Sequence, residues 1–287
     1  MSDALTAGSV REALGGAVDA LAAVEVETPR LDAELLLGEA TGWDRARLAA
    51  EPEAGIPAAA GRKFAEMVRR RLRREPVAYI LGRKGFRSIE LAVDRRVLIP
   101  RPETELLVEL ALETGARSVL DMGTGSGAIA LAITDELPGC ELIATDTSPA
   151  ALAVARDNAE RLGLAERVRF VEGMLPGADL GWAGEGGAEA FDLIVANLPY
   201  VAESEWGGLE PEVTKWEPRE ALLAGPDGLD VLRMAIPAAA ALAPSLALEV
   251  GAGQAPAVSE LLFEAGFATV ETRPDLAGIP RVVWGQR

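Results

Sequence analysis

From residue 117 onward, short runs rich in apolar and β-branched residues alternate with longer runs of helical periodicity. SVLDM at 118–122 precedes a helical stretch at 128–136, ELIATD at 141–146 precedes 149–162, and RVRFVE at 167–172 leads to FDLIVAN at 191–197. A helical 229–242 follows, then SLALEV at 245–250 and a helical 256–265. Strands that alternate with helices build a largely parallel sheet covered on both faces, so an α/β fold is expected. The last two runs, ATVETR at 268–273 and RVVWG at 281–285, have only a short loop between them. The final strand can therefore run antiparallel at the sheet's end. Seven strands result. The Gly- and Ala-rich segment at 177–190 reads as an exposed loop.

The preceding part of the chain has a different pattern. Val10, Ala13, Leu14, Ala17, Val18 and Leu21 recur at helical spacing, as do Leu31, Leu35 and Leu36 after Pro29, a residue suited to a first helical turn. A third helix is expected over 58–73, with Phe64, Met67, Val68 and Leu72 on one face. FRSIELAV at 86–93 reads as a short hairpin. The expected organisation is a small helical bundle at 1–84, a hairpin linker at 85–100 and an α/β domain at 101–287.

Composition narrows the chemistry. The 287 residues include no histidine, which removes Ser-His-Asp and Cys-His catalysis and imidazole-ligated zinc. The single cysteine, Cys140, permits no internal disulfide and has no histidine to activate it. A net charge of −17 disfavours non-specific contact with nucleic acid, where neutralising phosphates supplies the affinity. No apolar run approaches membrane-spanning length, and the start MSDALTAGSVREAL has no signal-peptide pattern. A cytoplasmic protein acting on a protein or small molecule is expected.

Between the first strand and its helix lie Gly123, Thr124, Gly125, Ser126 and Gly127. Glycines allow a sharp turn and leave the backbone open to a ligand at the carboxyl edge of a doubly wound sheet. Asp146 ends the next strand, where a carboxylate can accept both hydrogen bonds of a ribose diol. Asp121, just before the glycines, either belongs to this site or braces the loop and caps the helix. The dinucleotide fingerprint G-x-G-x-x-G has its third glycine one place later than this chain does. The spacing instead resembles the D-x-G-x-G-x-G of S-adenosylmethionine-dependent methyltransferases.

The fourth strand, FDLIVA at 191–196, leads into Asn197, Leu198, Pro199 and Tyr200. An amide nitrogen is a poor nucleophile, because its lone pair is delocalised. Methylation makes it tetrahedral and more positive, so acceptors aimed at its N–H groups favour the transition state. Asn197 can offer its side-chain oxygen and Leu198 its carbonyl. Pro199 restricts the residue before it, and Tyr200 can pack on the flat amide. The bland alternative is a strand-to-loop turn with a core tyrosine.

These motifs, with TPRLDAELLL at 28–37, EPVAYILGRKGF at 75–86, VLIPRPETE at 97–105, WEPREALLAGPDGLD at 216–230, EVGAGQ at 249–254 and DLAGIPRVVWG at 275–285, resemble the HemK/PrmC family of release factor glutamine methyltransferases. The resemblance covers nearly the whole chain. It implies a class I methyltransferase fold with a Rossmann-like seven-stranded sheet, and a helical unit that helps recognise a peptide-chain release factor. It also implies transfer of methyl from S-adenosylmethionine, leaving S-adenosylhomocysteine, to the glutamine of a Gly-Gly-Gln motif in translation termination. By this likeness Gly123, Thr124, Gly125, Ser126, Gly127 and Asp146 bind the cofactor, and Asn197 serves both cofactor and substrate. Leu198, Pro199 and Tyr200 complete the substrate site, and Leu175 packs by the adenine. The chain departs from the family at Leu198, where a second proline is usual, and at Met174, where an acid is usual.

Several readings stay open at this point. Arg101, Glu103 and Thr104 line the cofactor pocket or cap a helix. Glu217 and Arg219 form a loop-bracing ion pair or meet the substrate. Arg69, Arg70, Arg71, Arg73 and Arg74 form a solvated helix face or greet an acidic partner. Rival functions are an adenine-amino methyltransferase of nucleic acid, an NAD oxidoreductase, and a non-catalytic release-factor-binding module. A monomer is expected.

Overall fold

The computed structural model describes residues 6–174 and 191–287. Leu175 and the 177–190 loop expected from sequence lie outside the described residues. The chain forms two compact units, Met1–Gly82 with Glu210–Trp216, and Arg83–Leu209 with Glu217–Arg287.

The first unit runs β1 (Thr6–Ser9), α1 (Val10–Ala22), α2 (Pro29–Thr41), α3 (Arg45–Ala50), β2 (Gly55–Pro57), α4 (Ala58–Leu72) and α5 (Val77–Leu81), with β1 antiparallel to β2. Ser9 starts α1 with a reciprocal cap: its hydroxyl accepts from the Glu12 N–H and its own N–H donates to the Glu12 carboxylate. Pro29 opens α2, and Gly42 in a left-handed conformation closes it. Leu14 and Leu21 of α1 pack with Leu36 and Leu37 of α2 and with Phe64 and Met67 of α4. Leu31 and Leu35, expected on the inner stripe, face outward at 38% and 37% exposure. Three consecutive leucines at 35–37 satisfy more than one helical register by pattern, and packing selects Ala33, Leu36 and Leu37.

The second unit begins with the expected hairpin, β3 (Arg83–Phe86) and β4 (Ile89–Ala92), then α6 (Glu105–Thr114), which the strand-and-helix pattern did not single out. It continues through β5 (Ser118–Met122), α7 (Ala128–Glu136), β6 (Glu141–Asp146), α8 (Pro149–Leu162), β7 (Val168–Glu172) and β8 (Leu193–Ala196). After α9 (Pro211–Trp216), which belongs to the helical unit, come α10 (Asp230–Ala240), β9 (Ser245–Glu249), α11 (Ala255–Glu264), β10 (Thr269–Pro274) and β11 (Pro280–Gln286). The seven-stranded sheet has the order β10-β11-β9-β8-β5-β6-β7. β11 runs antiparallel to both neighbours, as its short connection allows, but it is not the edge. Val282 and Val283 are fully buried whereas β10 is mostly exposed, so the more apolar strand of the pair takes the inner place. Leu120, Met122, Ile194, Leu246 and Leu248 form the centre of the core, covered by Leu232 and Ile236 of α10 and Val258 and Leu262 of α11.

The arginine run of α4 is not a uniformly solvated face. Arg71 is buried against Asp32 at 2.6 Å and Glu212 at 2.5 Å, and Arg74 pairs with Glu210 and Glu212. Burial raises the Glu212 pKa, but Arg74 and Arg71 outweigh it and hold the group below the usual carboxylate range. Within the helical unit these pairs tie α9 to α4 and α2.

Candidate active site

Parallel pairing sets the carboxyl ends of β5, β6, β8 and β9 side by side: Met122 lies beside Thr145 and Ala196, and Ala196 lies beside Leu248. Strand order reverses between β5 and β8, where an open α/β sheet leaves a crevice. A cleft of about 230 Å³ occupies this edge, and Gly123, Thr124, Gly125, Ser126, Asp146, Asn197, Leu198 and Pro199 all line it.

The glycine loop is built by close approach. Gly123, Gly125 and Gly127 all have positive φ, where side chains are strained. A Cβ on Gly123 would lie 2.9 Å from Leu198 Cδ2, and one on Gly127 would lie 2.9 Å from Leu131 Cδ1. Above Gly125 the space is open, so the backbone there faces the cleft without obstruction. The loop thus offers a cradle that a cofactor can enter. Gly127 is not among the lining residues, and its part is to start α7 tightly against its own helix.

Asp146 is oriented by two backbone donors, the Gly125 N–H at 2.9 Å and the Ser148 N–H at 2.8 Å. Each oxygen keeps acceptor capacity for a diol. Asp121 is fully buried and does not line the cleft. Its Oδ2 accepts from the Thr124 hydroxyl at 2.7 Å and the Ala130 N–H at 3.2 Å, which braces the loop and caps α7. Its Oδ1 has no hydrogen-bond partner among the described residues. Burial, helped by the Asp146 charge, pushes the Asp121 carboxyl up to about 7 despite those two bonds.

Asn197 follows β8. Its Nδ2 donates to Thr104 Oγ1 at 3.1 Å, and that hydroxyl donates to Glu249 Oε2 at 2.6 Å. The Tyr200 hydroxyl donates to Glu249 Oε1 at 3.2 Å. Burial raises the Tyr200 hydroxyl pKa, and the Glu249 charge adds to the effect. Tyr200 is not among the residues lining the cleft. Leu198 buries its side chain against Gly123, so it joins the two loops by packing.

Sequence reasoning missed the supports of this loop. Gln254 donates to the Tyr200 carbonyl at 2.8 Å and accepts from the Gly251 N–H at 2.8 Å. A Cβ on Gly228 would come within 2.3 Å of the Tyr200 carbonyl oxygen, so only glycine fits there. Both lie in motifs singled out by resemblance, EVGAGQ and WEPREALLAGPDGLD, but the spacing alone gave them no partner. Thr104 lines the cleft, whereas Arg101 and Glu103 are not among the lining residues. Glu217 does brace a loop, but through Arg101 at 2.5 Å and the Ile99 N–H at 3.0 Å. Arg219 lies instead over the Trp206 ring, 5.2 Å from its centre. Burial pushes the Cys140 thiol up to about 11, which fits its exclusion as a nucleophile.

Two family models match the chain: the PrmC N-terminal domain over residues 12–82 and a methyltransferase domain over 119–215. The release factor glutamine methyltransferase of Moorella thermoacetica is 44% identical over 284 residues, spanning 95% of this chain and 96% of that protein. The protein of the same name from Cereibacter sphaeroides is 43% identical over 275 residues, with 95% and 96% covered. Among solved structures, the hMettl16 catalytic domain in complex with MAT2A 3'UTR hairpin 6 superposes with a TM-score of 0.54 at 16% identity, covering 68% of this chain and 75% of that one. That likeness is one of fold. The cleft at the order reversal, the glycine cradle and the length of the shared sequence all lead to one assignment: this chain belongs to the release factor glutamine methyltransferase family.

Proposed function

We propose that this protein methylates the side-chain amide nitrogen, N5, of the glutamine in the Gly-Gly-Gln motif of a peptide-chain release factor. S-adenosylmethionine, when bound, supplies a methyl group made electrophilic by its sulfonium and leaves as S-adenosylhomocysteine. The observation that carries the reading is the placement of an open glycine turn, the Asp146 carboxylate and the Asn197 amide around one cleft.

The residues divide the work. Gly123, Thr124, Gly125 and Ser126 let a cofactor approach the main chain, and Asp146 accepts from its ribose hydroxyls. Asn197 Oδ1 and the Leu198 carbonyl accept from the substrate N–H₂, drawing electron density toward nitrogen as it becomes tetrahedral. Pro199 holds that carbonyl in place. Tyr200, which does not line the cleft, supports this loop through its hydroxyl on Glu249. Holding nitrogen in line with the methyl–sulfur bond supplies the remaining gain. No histidine is needed, and the chain has none.

The helical unit contributes to recognising the release factor. The chain acts as a monomer in the cytoplasm without direct contact to nucleic acid; its charge of −17 supports the last point. No helix among the described residues is long and apolar enough to cross a membrane.

Incubation with a release factor and S-adenosylmethionine should add about 14 Da to the Gly-Gly-Gln peptide by mass spectrometry, a modification that sequence does not show. Asn197→Ala should lower turnover by about 100-fold or more while leaving cofactor binding partly intact. Unchanged turnover in that variant, or methyl found on another residue, defeats the reading.

A further inference from the structure

Glu249 ends β9 with 1% of its surface exposed. Its two oxygens receive the hydroxyls of Thr104 and Tyr200. Burial raises the pKa of this group, and above that pKa it is an acceptor-only carboxylate, at which both hydroxyls point their protons. Thr104 has one proton, and giving it to Glu249 at 2.6 Å leaves only lone pairs toward Asn197. The Asn197 group facing Thr104 must then be the donor, Nδ2, as the 3.1 Å contact has it. Its carbonyl oxygen is turned the other way. Among the described residues no hydrogen bond reaches Asn197 Oδ1, and Asn197 lines the cleft.

An asparagine amide has nearly the same shape when flipped by half a turn, so shape does not fix which end faces a substrate. An Nδ2 turned into the cleft would set N–H against N–H of a substrate amide and reverse the sign of the interaction. Something must hold the orientation. We propose that Glu249 is a positioning residue: through Thr104 it sets the direction of hydrogen bonding so that Asn197 presents oxygen to the substrate nitrogen. This rests on the function proposed above and deepens it. The same carboxylate anchors the Tyr200 hydroxyl, so both side chains after β8 take their bearing from one buried group. Glu103 and Arg281 are further charges acting on it, with opposite signs.

Glu249→Gln tests this, because glutamine keeps the shape but brings a donor. Its Nε2 can donate to Thr104, which frees the threonine proton to bond Asn197 Oδ1 and stabilises the flipped amide. Purified full-length wild type, Glu249→Gln, Thr104→Val and Thr104→Ser are assayed with a release factor and labelled S-adenosylmethionine, and cofactor affinity is measured by calorimetry. Glu249→Gln and Thr104→Val should lose about 100-fold in kcat, with cofactor Kd within roughly threefold of wild type. Thr104→Ser, which keeps the hydroxyl, should recover most of what Thr104→Val loses.

Wild-type kcat in Glu249→Gln, or a loss of kcat matched by an equal loss of cofactor affinity, overturns the positioning role. If Glu249→Gln does not fold, Thr104→Val decides in the same way. A wild type that binds cofactor yet leaves release factor unmethylated overturns the functional reading itself, and the proposal with it. Active wild type with an equally active Glu249→Gln overturns only the role of Glu249.

Discussion

At the scale of single residues, the cleft depends on atoms that are absent as much as on those present. Gly123 has φ of +74°, and a Cβ there would run into Leu198. Gly123→Ala should therefore cost about 1–2 kcal/mol from backbone strain alone, read as a lower unfolding midpoint in urea, and it should also weaken S-adenosylmethionine binding because relief requires the loop to move. Asp146 works differently, since two backbone N–H groups aim it before any ligand arrives. Asp146→Asn keeps the shape but loses the charge that strengthens a hydroxyl's hydrogen bond. A 10- to 100-fold rise in cofactor Kd, about 1.5–3 kcal/mol, is expected by calorimetry. Unaltered affinity would place the ribose elsewhere.

At the scale of elements, the helical unit is held by more than its apolar faces. Arg71 of α4 sits almost without solvent between Asp32 of α2 and Glu212 of α9. Breaking a buried pair leaves a charge unneutralised, and this costs more than making the pair contributes. Asp32→Ala should lower stability by about 3 kcal/mol, the low end for such losses because Glu212 still faces Arg71. A urea unfolding curve followed by far-ultraviolet circular dichroism would register it, and a change under about 0.5 kcal/mol, typical of a surface substitution, would mean that the pair is dispensable. From sequence, the arginine run suggested a solvated face. The reason is that Asp32 and Glu212 are 180 positions apart in the chain, and only folding makes them neighbours.

At the scale of the whole molecule, buried carboxyls shape the response to pH. The Asp121 carboxyl titrates near 7 in the folded protein, against about 3.9 in an unfolded chain. Between those values the folded state holds a proton that the unfolded state has released. Stability therefore falls as pH rises from about 4 to about 7 and levels off above, with about 4 kcal/mol as an upper bound from this group. Glu249, raised by burial, acts in the same direction. Urea midpoints across this range should slope downward in the wild type, and Asp121→Asn should flatten the slope whatever its absolute stability. An unchanged slope would assign the dependence to other groups.

The alternation of strands and helices is legible in the chain, because the periods of 2 and 3.6 are local and a glycine turn between them is local too. The runs at 118–122, 128–136, 141–146 and 149–162 are the elements β5, α7, β6 and α8 as they stand in the structure. The sequence also supplied the family likeness, with the cofactor and substrate that go with it. Tertiary structure alone decided that β11 enters the sheet ahead of β10, that Leu31 and Leu35 turn outward, and that Glu217 braces Arg101 rather than Arg219. The same holds for the link from Glu249 through Thr104 to Asn197, whose members come from three distant stretches of chain. Partnership between such residues depends on packing, and local periodicity carries no information about which remote side chain a hydroxyl will meet.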